Sequence, residues 1–507
     1  MKRCSGLLAC LLLVSCAAAD PYRAAPVAAQ LDARDAGGEC VRRFAALDTT
    51  IDALGVRDAA AVRVPGFPFV RVDRVHAALA DELGDAPDAA RLRAWLDGLG
   101  ALDAQARRIE VANAALPAAA GGDHAALARC RTLLLAALGP RELAALRAAA
   151  AVPDDYVTGL RALGLYPLTR LAFASGIRRW HEETLAIFAQ PEEALTRFGA
   201  RRLYVPATPA PAPAPGTTAG APAGSAAAPP ARDARGLPRF DAVTLVALLQ
   251  RHAPVWDVDT ASEDDRIGAL VWQGRPAVLV VDAAHPTVDA HAAYARFDGR
   301  WRLQLVYTAW FAARPAQGNF DPLAGRFDGV VWRVTLDDAL EPLVYDAIHP
   351  CGCYHLFFPT ARLAAKPSEP SLDEGLFAPQ MAPALQPGQR LRLRVAARTH
   401  YLERVAVAGE APSATVYALR DADALRSLPL PGGGQRSAFD RDGFLPGSER
   451  LERAFFWPMG IVSAGQMRQW GRHATAFVGR RHFDDPFLLE RYFVPGTVAA
   501  AVPSSRP

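Results

Sequence analysis

The spacing of apolar residues up to residue 205 is typical of amphipathic helices. Val75, Leu79 and Leu83 follow Asp73 at intervals of four, so they would share one face of a helix that Asp73 caps. A second apolar run follows Asp123 and ends at a Gly-Pro pair at residues 139–140, where proline suits the first turn of a further helix. We therefore expect an all-helical N-terminal domain over residues 31–205.

The period changes to two in the second half of the chain. Every second residue from Trp301 to Phe311 is apolar or aromatic, which indicates a strand with one buried face. Residues 277–282, 330–336 and 390–398 follow similar rules, and Asp-Gly and Pro-Gly pairs lie between these runs. Strands with short polar connections predict a mainly antiparallel β domain with short helices over residues 239–507.

A change in composition separates the two patterns. Residues 206–230 consist almost entirely of Pro, Ala, Gly, Thr and Ser, which offer few side chains for a core and favour extended backbone. We interpret residues 206–238 as a Pro/Ala-rich linker. The predicted fold class is thus α+β, and a length of 507 residues suits more than one core.

The N-terminus has the features of a secretory leader. Lys2 and Arg3 precede a short apolar run, and the segment ends Leu-Val-Ser-Cys at Cys16. This ending resembles the lipobox of bacterial lipoproteins. The resemblance implies a signal peptide over residues 1–15, cleavage before Cys16, and attachment of a diacylglyceryl group and a further acyl chain such as palmitate to that cysteine. Residues 16–30 would then form a tether.

The resemblance also implies a location. Ala17 follows the lipidated cysteine, which by analogy with enterobacterial sorting favours the outer membrane, with the protein facing the periplasm. No later segment has the eighteen or more apolar residues that a membrane span requires. A net charge of +3 gives no electrostatic footprint for nucleic acid. We expect a cell-envelope protein held on a membrane by its lipid anchor, with an envelope protein as a further candidate partner.

Candidate chemistry concentrates at residues 349–355, which read His-Pro-Cys-Gly-Cys-Tyr-His. His349, Cys351, Cys353 and His355 alternate along the chain, so in a straight strand all four would point to one side. Such a strand would separate the two histidines by about 20 Å, too far for one metal ion. A site for Cu or Zn therefore requires a bend at residues 350–352 or an outside ligand. The candidates for that ligand are His291, His400, His473 and His482.

Three interpretations of this motif remain open at the level of sequence. An exported protein lies in an oxidising compartment, which favours a disulfide that involves Cys351 or Cys353. A metal site and a pair of buried thiols without chemistry are the other two. The same compartment predicts a structural disulfide between Cys40 and Cys130, the remaining cysteines of the mature chain.

Other signals are weaker. His482 stands beside Asp484 and Asp485, and these three with His473 form a secondary candidate set for acid/base chemistry. His181 begins a sequence like the zinc-protease HExxH motif, but Leu185 replaces the second histidine. No motif of a hydrolase, ATPase or dehydrogenase is present. The sequence favours a binding or assembly module, with a metal-dependent or thiol-redox enzyme centred on residues 349–355 as the alternative.

Overall fold

The computed structural model describes residues 34–84, 86–207, 229–367, 371–410 and 413–496. The predicted signal peptide, Cys16, the tether and most of the predicted linker lie outside these ranges. The described helices are α1 (Ala36–Leu54), α2 (Arg74–Glu82), α3 (Ala89–Asn113), α4 (His124–Ala136), α5 (Pro140–Ala149), α6 (Thr158–Leu163), α7 (Tyr166–Ala189), α8 (Ala242–His252), α9 (Arg453–Phe456) and α10 (Leu488–Tyr492).

Strands occur on both sides of the predicted linker. In chain order they are β1 (Val62–Val64), β2 (Phe67–Val72), β3 (Ala200–Pro206), β4 (Val255–Thr260), β5 (Ala269–Gln273), β6 (Val278–Asp282), β7 (Thr287–Phe297), β8 (Arg300–Arg314), β9 (Gly325–Leu336), β10 (Pro342–Ile348), β11 (Leu356–Pro359), β12 (Leu363–Ala365), β13 (Leu391–Val395), β14 (Leu402–Val407), β15 (Thr415–Asp421), β16 (Leu428–Pro429), β17 (Gln435–Arg436) and β18 (Phe493–Pro495). The class is mixed α+β, as expected from the two periods.

One large curled sheet organises the molecule. Its ten strands lie in the order β11-β10-β9-β8-β7-β15-β3-β4-β13-β14. Neighbours are antiparallel except at the β7–β15, β15–β3 and β4–β13 pairs, so the sheet is mixed. The alternation seen from Trp301 to Phe311 falls within β8, and its apolar residues from Leu303 onwards join a core that contains Tyr307, Trp332 and Trp256.

The prediction of an all-helical N-terminal part is wrong in two places. Strands β1 and β2 form an antiparallel hairpin whose residues are all buried. Strand β3 pairs with β4 and β15 inside the large sheet. Both segments are short and mix apolar residues with arginine, so they have no clear period by which to identify them.

The two helices predicted to follow the capping residues Asp73 and Asp123 are present. Asp73 caps α2 by accepting a hydrogen bond from the backbone N–H of His76, and Asp123 caps α4 through Ala126. Cys40 of α1 and Cys130 of α4 form a disulfide, as predicted. Among the described residues, no helix combines the length and apolar character needed to cross a bilayer.

The helical part and the sheet are in contact. Arg426, which follows β15, makes two hydrogen bonds of 2.9 and 2.6 Å to the Asp58 carboxylate beside β1. Trp301 of β8 and Leu237 pack into the core of the helical part. Leu237 falls in the last described stretch of the predicted linker, where Arg232 also donates a hydrogen bond to the carbonyl of Trp301. Residues of α7 and of the C-terminal segment line one cavity together with Cys351, Cys353 and His355.

Candidate functional site

Residues 349–355 form the connection between two antiparallel strands. Strands β10 and β11 pair from Val344 opposite Pro359 to Ala347 opposite Leu356, and the motif turns between them. The N–H of Gly352 donates to the carbonyl of His349 at 2.8 Å, and the N–H of His349 donates to the carbonyl of Cys353 at 3.0 Å. Gly352 has φ +86°, which favours glycine. The bend that a metal site requires is therefore present.

The bend turns the two histidines away from each other. His349 is buried, and its Nδ1 lies 3.3 Å from a carboxylate oxygen of Asp328 on β9. His355 is also buried, with Nε2 3.0 Å from Asp346 of β10 and 3.0 Å from an Arg333 nitrogen. Burial lowers the pKa of His355 to about 3 despite the Asp346 carboxylate, so this ring is neutral at physiological pH.

The two cysteines of the motif are free thiols. Cys351 is buried and Cys353 is half-buried, so the disulfide expected at this motif is not formed. A hydrogen bond with Cys351, together with burial, raises the pKa of the Cys353 thiol well above its usual value. The thiols are therefore close neighbours, and Cys353 is protonated at neutral pH.

The four predicted metal ligands do not converge. His349 and His355 each bind a different carboxylate, while the thiols bind each other. Within the described ranges, no group of three or more His, Cys, Asp or Glu side chains is placed to hold a metal ion. His349, Cys351, Cys353 and His355 thus have different partners in the hairpin, and a Cu or Zn site built from a subset of them stays a prediction.

His349 of the hairpin belongs to a buried series of ion pairs that continues through Asp328 and His400 to Asp265. His400 lies between Asp328, at 2.9 Å, and Asp265, at 3.2 Å, and its ring stacks on Phe311. Burial lowers the pKa of His400, but the hydrogen bonds with the two carboxylates outweigh this effect and the pKa is raised. His400, a candidate outside ligand, thus joins β9 to the residues around Asp265 through these two carboxylates.

A cavity of about 430 Å³ opens beside the hairpin. One wall is a stripe of α7 residues spaced three to four apart, and another is the aromatic pair Phe456 and Phe477. The hairpin contributes Cys351, Cys353 and His355. The stripe on α7 consists of Ala172, Phe173, Gly176, Ile177, Trp180 and His181. The lining is therefore mainly apolar, with thiols and a few charged groups in one region.

Two buried carboxyl groups face this cavity. Burial raises the pKa of Glu452 to about 7, although Arg450 and other arginines favour the charged form. Burial also raises the pKa of Glu374, whose carboxylate accepts the backbone N–H of Val478 at 3.1 Å. Glu374 also lies 3.3 Å from Arg481, so it holds the wall formed by residues 474–481. Glu452 lines the cavity beside Arg468 and is the group whose charge changes near neutral pH.

The secondary candidates stand outside this cavity. His473 lies 3.5 Å from Asp155, and His482 lies 3.2 Å from Asp154. Asp484 pairs with Arg74 at 2.8 Å, and Asp485 pairs with Arg491 at 2.9 Å. Burial lowers the pKa values of both histidines to about 4 and raises that of Asp484 to about 6. Three of the four bind the C-terminal segment to the helical part, while Asp485 pairs within that segment.

His291, the remaining candidate for an outside ligand, also lies away from the thiols. It stands on β7 with its ring 5.3 Å from that of Trp470, and it lines a separate cavity of about 240 Å³. Sequence reasoning found the two thiols and His355 but missed Glu452, Glu374 and Arg468. Each of these three lies far from residue 351 in the chain, and none belongs to a recognisable motif.

Comparison with protein-family models, with curated proteins and with solved structures finds no match to this chain. Arguments about its function therefore start from the cavity itself.

Proposed function

We propose that this chain is a lipid-anchored binding protein of the bacterial cell envelope, which holds a small and largely apolar molecule in the cavity beside residues 349–355. One observation supports this most directly. A cavity of about 430 Å³ with apolar walls and a few polar groups in one region is typical of small-molecule sites. The anchor at Cys16, the outer-membrane location facing the periplasm and an envelope protein partner remain parts of the same proposal.

The lining indicates what such a molecule would look like. The aromatic rings of Trp180, Phe456 and Phe477 suit an apolar body. Glu452 and Arg468 suit a polar group at one end, because a carboxyl group with a pKa near 7 can donate or accept a hydrogen bond at neutral pH. The ligand class is thus an amphiphile with one small polar end.

A cavity-filling substitution tests this proposal. Gly176 lines the cavity, and an added Cβ there meets nothing within 4 Å, so Gly176→Phe can fill the cavity without a clash at Cβ. The probe is N-phenylnaphthylamine, a neutral apolar dye whose fluorescence rises on transfer from water. We expect saturable binding by the natural chain, with an affinity at least about tenfold lower in Gly176→Phe, or ~1.4 kcal/mol.

Gly159→Phe provides the matched control. Gly159 is also an exposed helical glycine with open space around an added Cβ, but it does not line the cavity. Its substitution should leave dye binding unchanged. Equal dye affinity in the natural chain and Gly176→Phe, with both folded by circular dichroism, would refute a ligand site in this cavity.

A thiol-redox enzyme is the second candidate, and the neighbouring free thiols favour it. Cys351 and Cys353 could reduce a substrate disulfide by thiol–disulfide exchange. The substrate would gain two electrons and two protons and leave as two thiols, while Cys351 and Cys353 would become a disulfide. This candidate ranks second because the raised pKa of Cys353 leaves little thiolate at neutral pH. A metal-dependent enzyme has less support, since the predicted ligands diverge.

Counting thiols distinguishes the candidates. Protein purified without reductant is unfolded and titrated with a thiol reagent, and metals are measured in the same sample. Two thiols that become an internal disulfide when a small disulfide is added would support the redox candidate. Cys353→Ser, which keeps only the Cys351 thiol, should form no internal disulfide under the same treatment. Thiols that stay reduced under the same treatment, while dye binding persists in a Cys351→Ser/Cys353→Ser variant, would exclude it.

A further inference from the structure

Large exposed apolar side chains lie on the segments that line the cavity. We define the apolar rim as Leu168, Leu171, Phe320, Phe455 and Val462, which are between 44% and 68% exposed. Four of them lie near cavity-lining residues in the chain: Leu171 precedes Ala172, Phe455 precedes Phe456, Val462 follows Ile461, and Phe320 lies close to Leu323. The rings of Phe320 and Phe455 are 6.2 Å apart. The rim therefore joins three separate segments at one place.

The rim also continues the interior of the cavity. On α7 the lining residues Ala172 and Gly176 are four residues apart, and Leu168 extends this stripe one turn towards the helix N-terminus. Leu168 is 66% exposed, so the stripe passes from the cavity to solvent without a change in polarity. An exposed apolar surface that is continuous with a binding cavity marks an interaction site.

We infer that the apolar rim docks on a lipid bilayer and that the ligand of the cavity is the acyl chain of a membrane lipid. This inference rests on the proposed function. An acyl chain could then pass from the bilayer into the cavity without exposing its methylene groups to water, which is unfavourable. Exposed arginines at positions 178, 179 and 453 lie beside lining residues and suit anionic headgroups.

The length of chain before the described part fits this occupant. Residues 17–33 separate Cys16 from the first described residue, and a fully extended chain of that length spans at most roughly 60 Å. An anchored body would therefore stay close to the bilayer, at a high effective concentration. Docking of leucine and phenylalanine side chains in the interfacial region then requires only modest intrinsic affinity.

The test uses the full chain with Cys16→Ser, so that acylation does not itself hold the protein on the membrane. Binding to vesicles of phosphatidylethanolamine and phosphatidylglycerol is measured by cosedimentation. We expect Leu168→Glu/Leu171→Glu to lower vesicle affinity at least about tenfold. The matched control is Val243→Glu/Val246→Glu on α8, where two valines are 79% and 58% exposed but do not line the cavity. The control should bind vesicles like the parent.

Extraction of a phosphatidylethanolamine with a fluorescent acyl chain measures the second half of the inference. The parent should remove this lipid from quenched vesicles, and both the rim variant and Gly176→Phe should lose the activity. Unchanged vesicle binding in the rim variant would overturn the proposal that the apolar rim docks on a bilayer. If the parent protein is a dimer and the rim substitutions dissociate it, the rim binds a second copy of this chain instead. Dye binding that survives in the rim variant without vesicles would leave the cavity function standing, so the two failures are distinguishable.

Discussion

Glu452 shows how burial sets the chemistry of single residues in this cavity. The side chain is almost fully buried, and the arginines near it do not compensate for lost hydration. Its pKa of about 7 places its change of charge in the physiological range. The buried His355 and the half-buried Cys353 line the same cavity, but both are neutral at pH 7. A pH-dependent step at this site would therefore act through Glu452.

Replacement of this carboxyl group should change how stability depends on pH. The folded pKa of Glu452 is about 7, above the value of 4.5 for a glutamate in water, so the folded state binds more protons between these two pH values. The unfolding free energy of the natural chain should therefore fall as pH rises from 4.5 to 7. Glu452→Gln removes this loss. The variant should gain about 3 kcal/mol relative to the natural chain between pH 4 and pH 8, measured by urea unfolding.

Glu182→Gln, at an exposed position on α7, is the control for this measurement. It should show a difference from the natural chain that is independent of pH. A Glu452→Gln difference that is equally flat from pH 4 to pH 8 would mean that Glu452 is not buried as a neutral acid.

At the scale of elements, the hairpin of β10 and β11 illustrates what the sequence could predict. The alternation of 349–355 and the bend at Pro350 and Gly352 follow from strand geometry and from the backbone properties of these two residues. The partners of His349 and His355 could not be predicted, because Asp328 and Asp346 belong to strands whose pairing depends on the whole sheet. The cavity depends on α7, which sequence places in a separate domain.

Gly352→Ala should destabilise this hairpin. Its φ is +86°, and an added Cβ would lie 2.6 Å from the carbonyl oxygen of Ala474 in the neighbouring wall. Backbone strain costs about 1–2 kcal/mol, and displacement of residues 474–475 adds to it, so we expect a loss of about 3 kcal/mol by urea unfolding. Dye affinity should also fall, because Gly352 and Ala474 both line the cavity.

Gly388→Ala separates these two effects. Gly388 has a similar φ of +83°, but an added Cβ meets nothing within 4 Å. This variant should lose only about 1–2 kcal/mol and should bind the dye normally. Equal losses at positions 352 and 388 would show that contact with Ala474 carries no cost.

At the scale of the whole molecule, the helical part and the sheet share buried contacts rather than a linker alone. Strand β3 precedes the predicted linker yet lies in the middle of the sheet, and Trp301 of β8 packs among the helices. The spacing of apolar residues predicts whether a segment is a helix or a strand, but it does not predict which strands pair. The pairing of β3 with β4 and β15, across the Pro/Ala-rich stretch, could therefore not be predicted. We therefore expect the described parts to unfold together in one cooperative transition.

Asp58→Ala tests this coupling. Its carboxylate makes two hydrogen bonds with Arg426 across the contact, and both side chains are buried. Removal leaves a buried guanidinium with only Asp423, which is half-exposed, so the unfolding free energy should fall by about 3 kcal/mol. Circular dichroism of the helices and fluorescence of the sheet tryptophans should shift to lower urea by the same amount, because one transition governs both. Glu341→Ala breaks the exposed Arg251 pair and should cost under about 1 kcal/mol. A shift in only one signal after Asp58→Ala would show that the two parts fold independently.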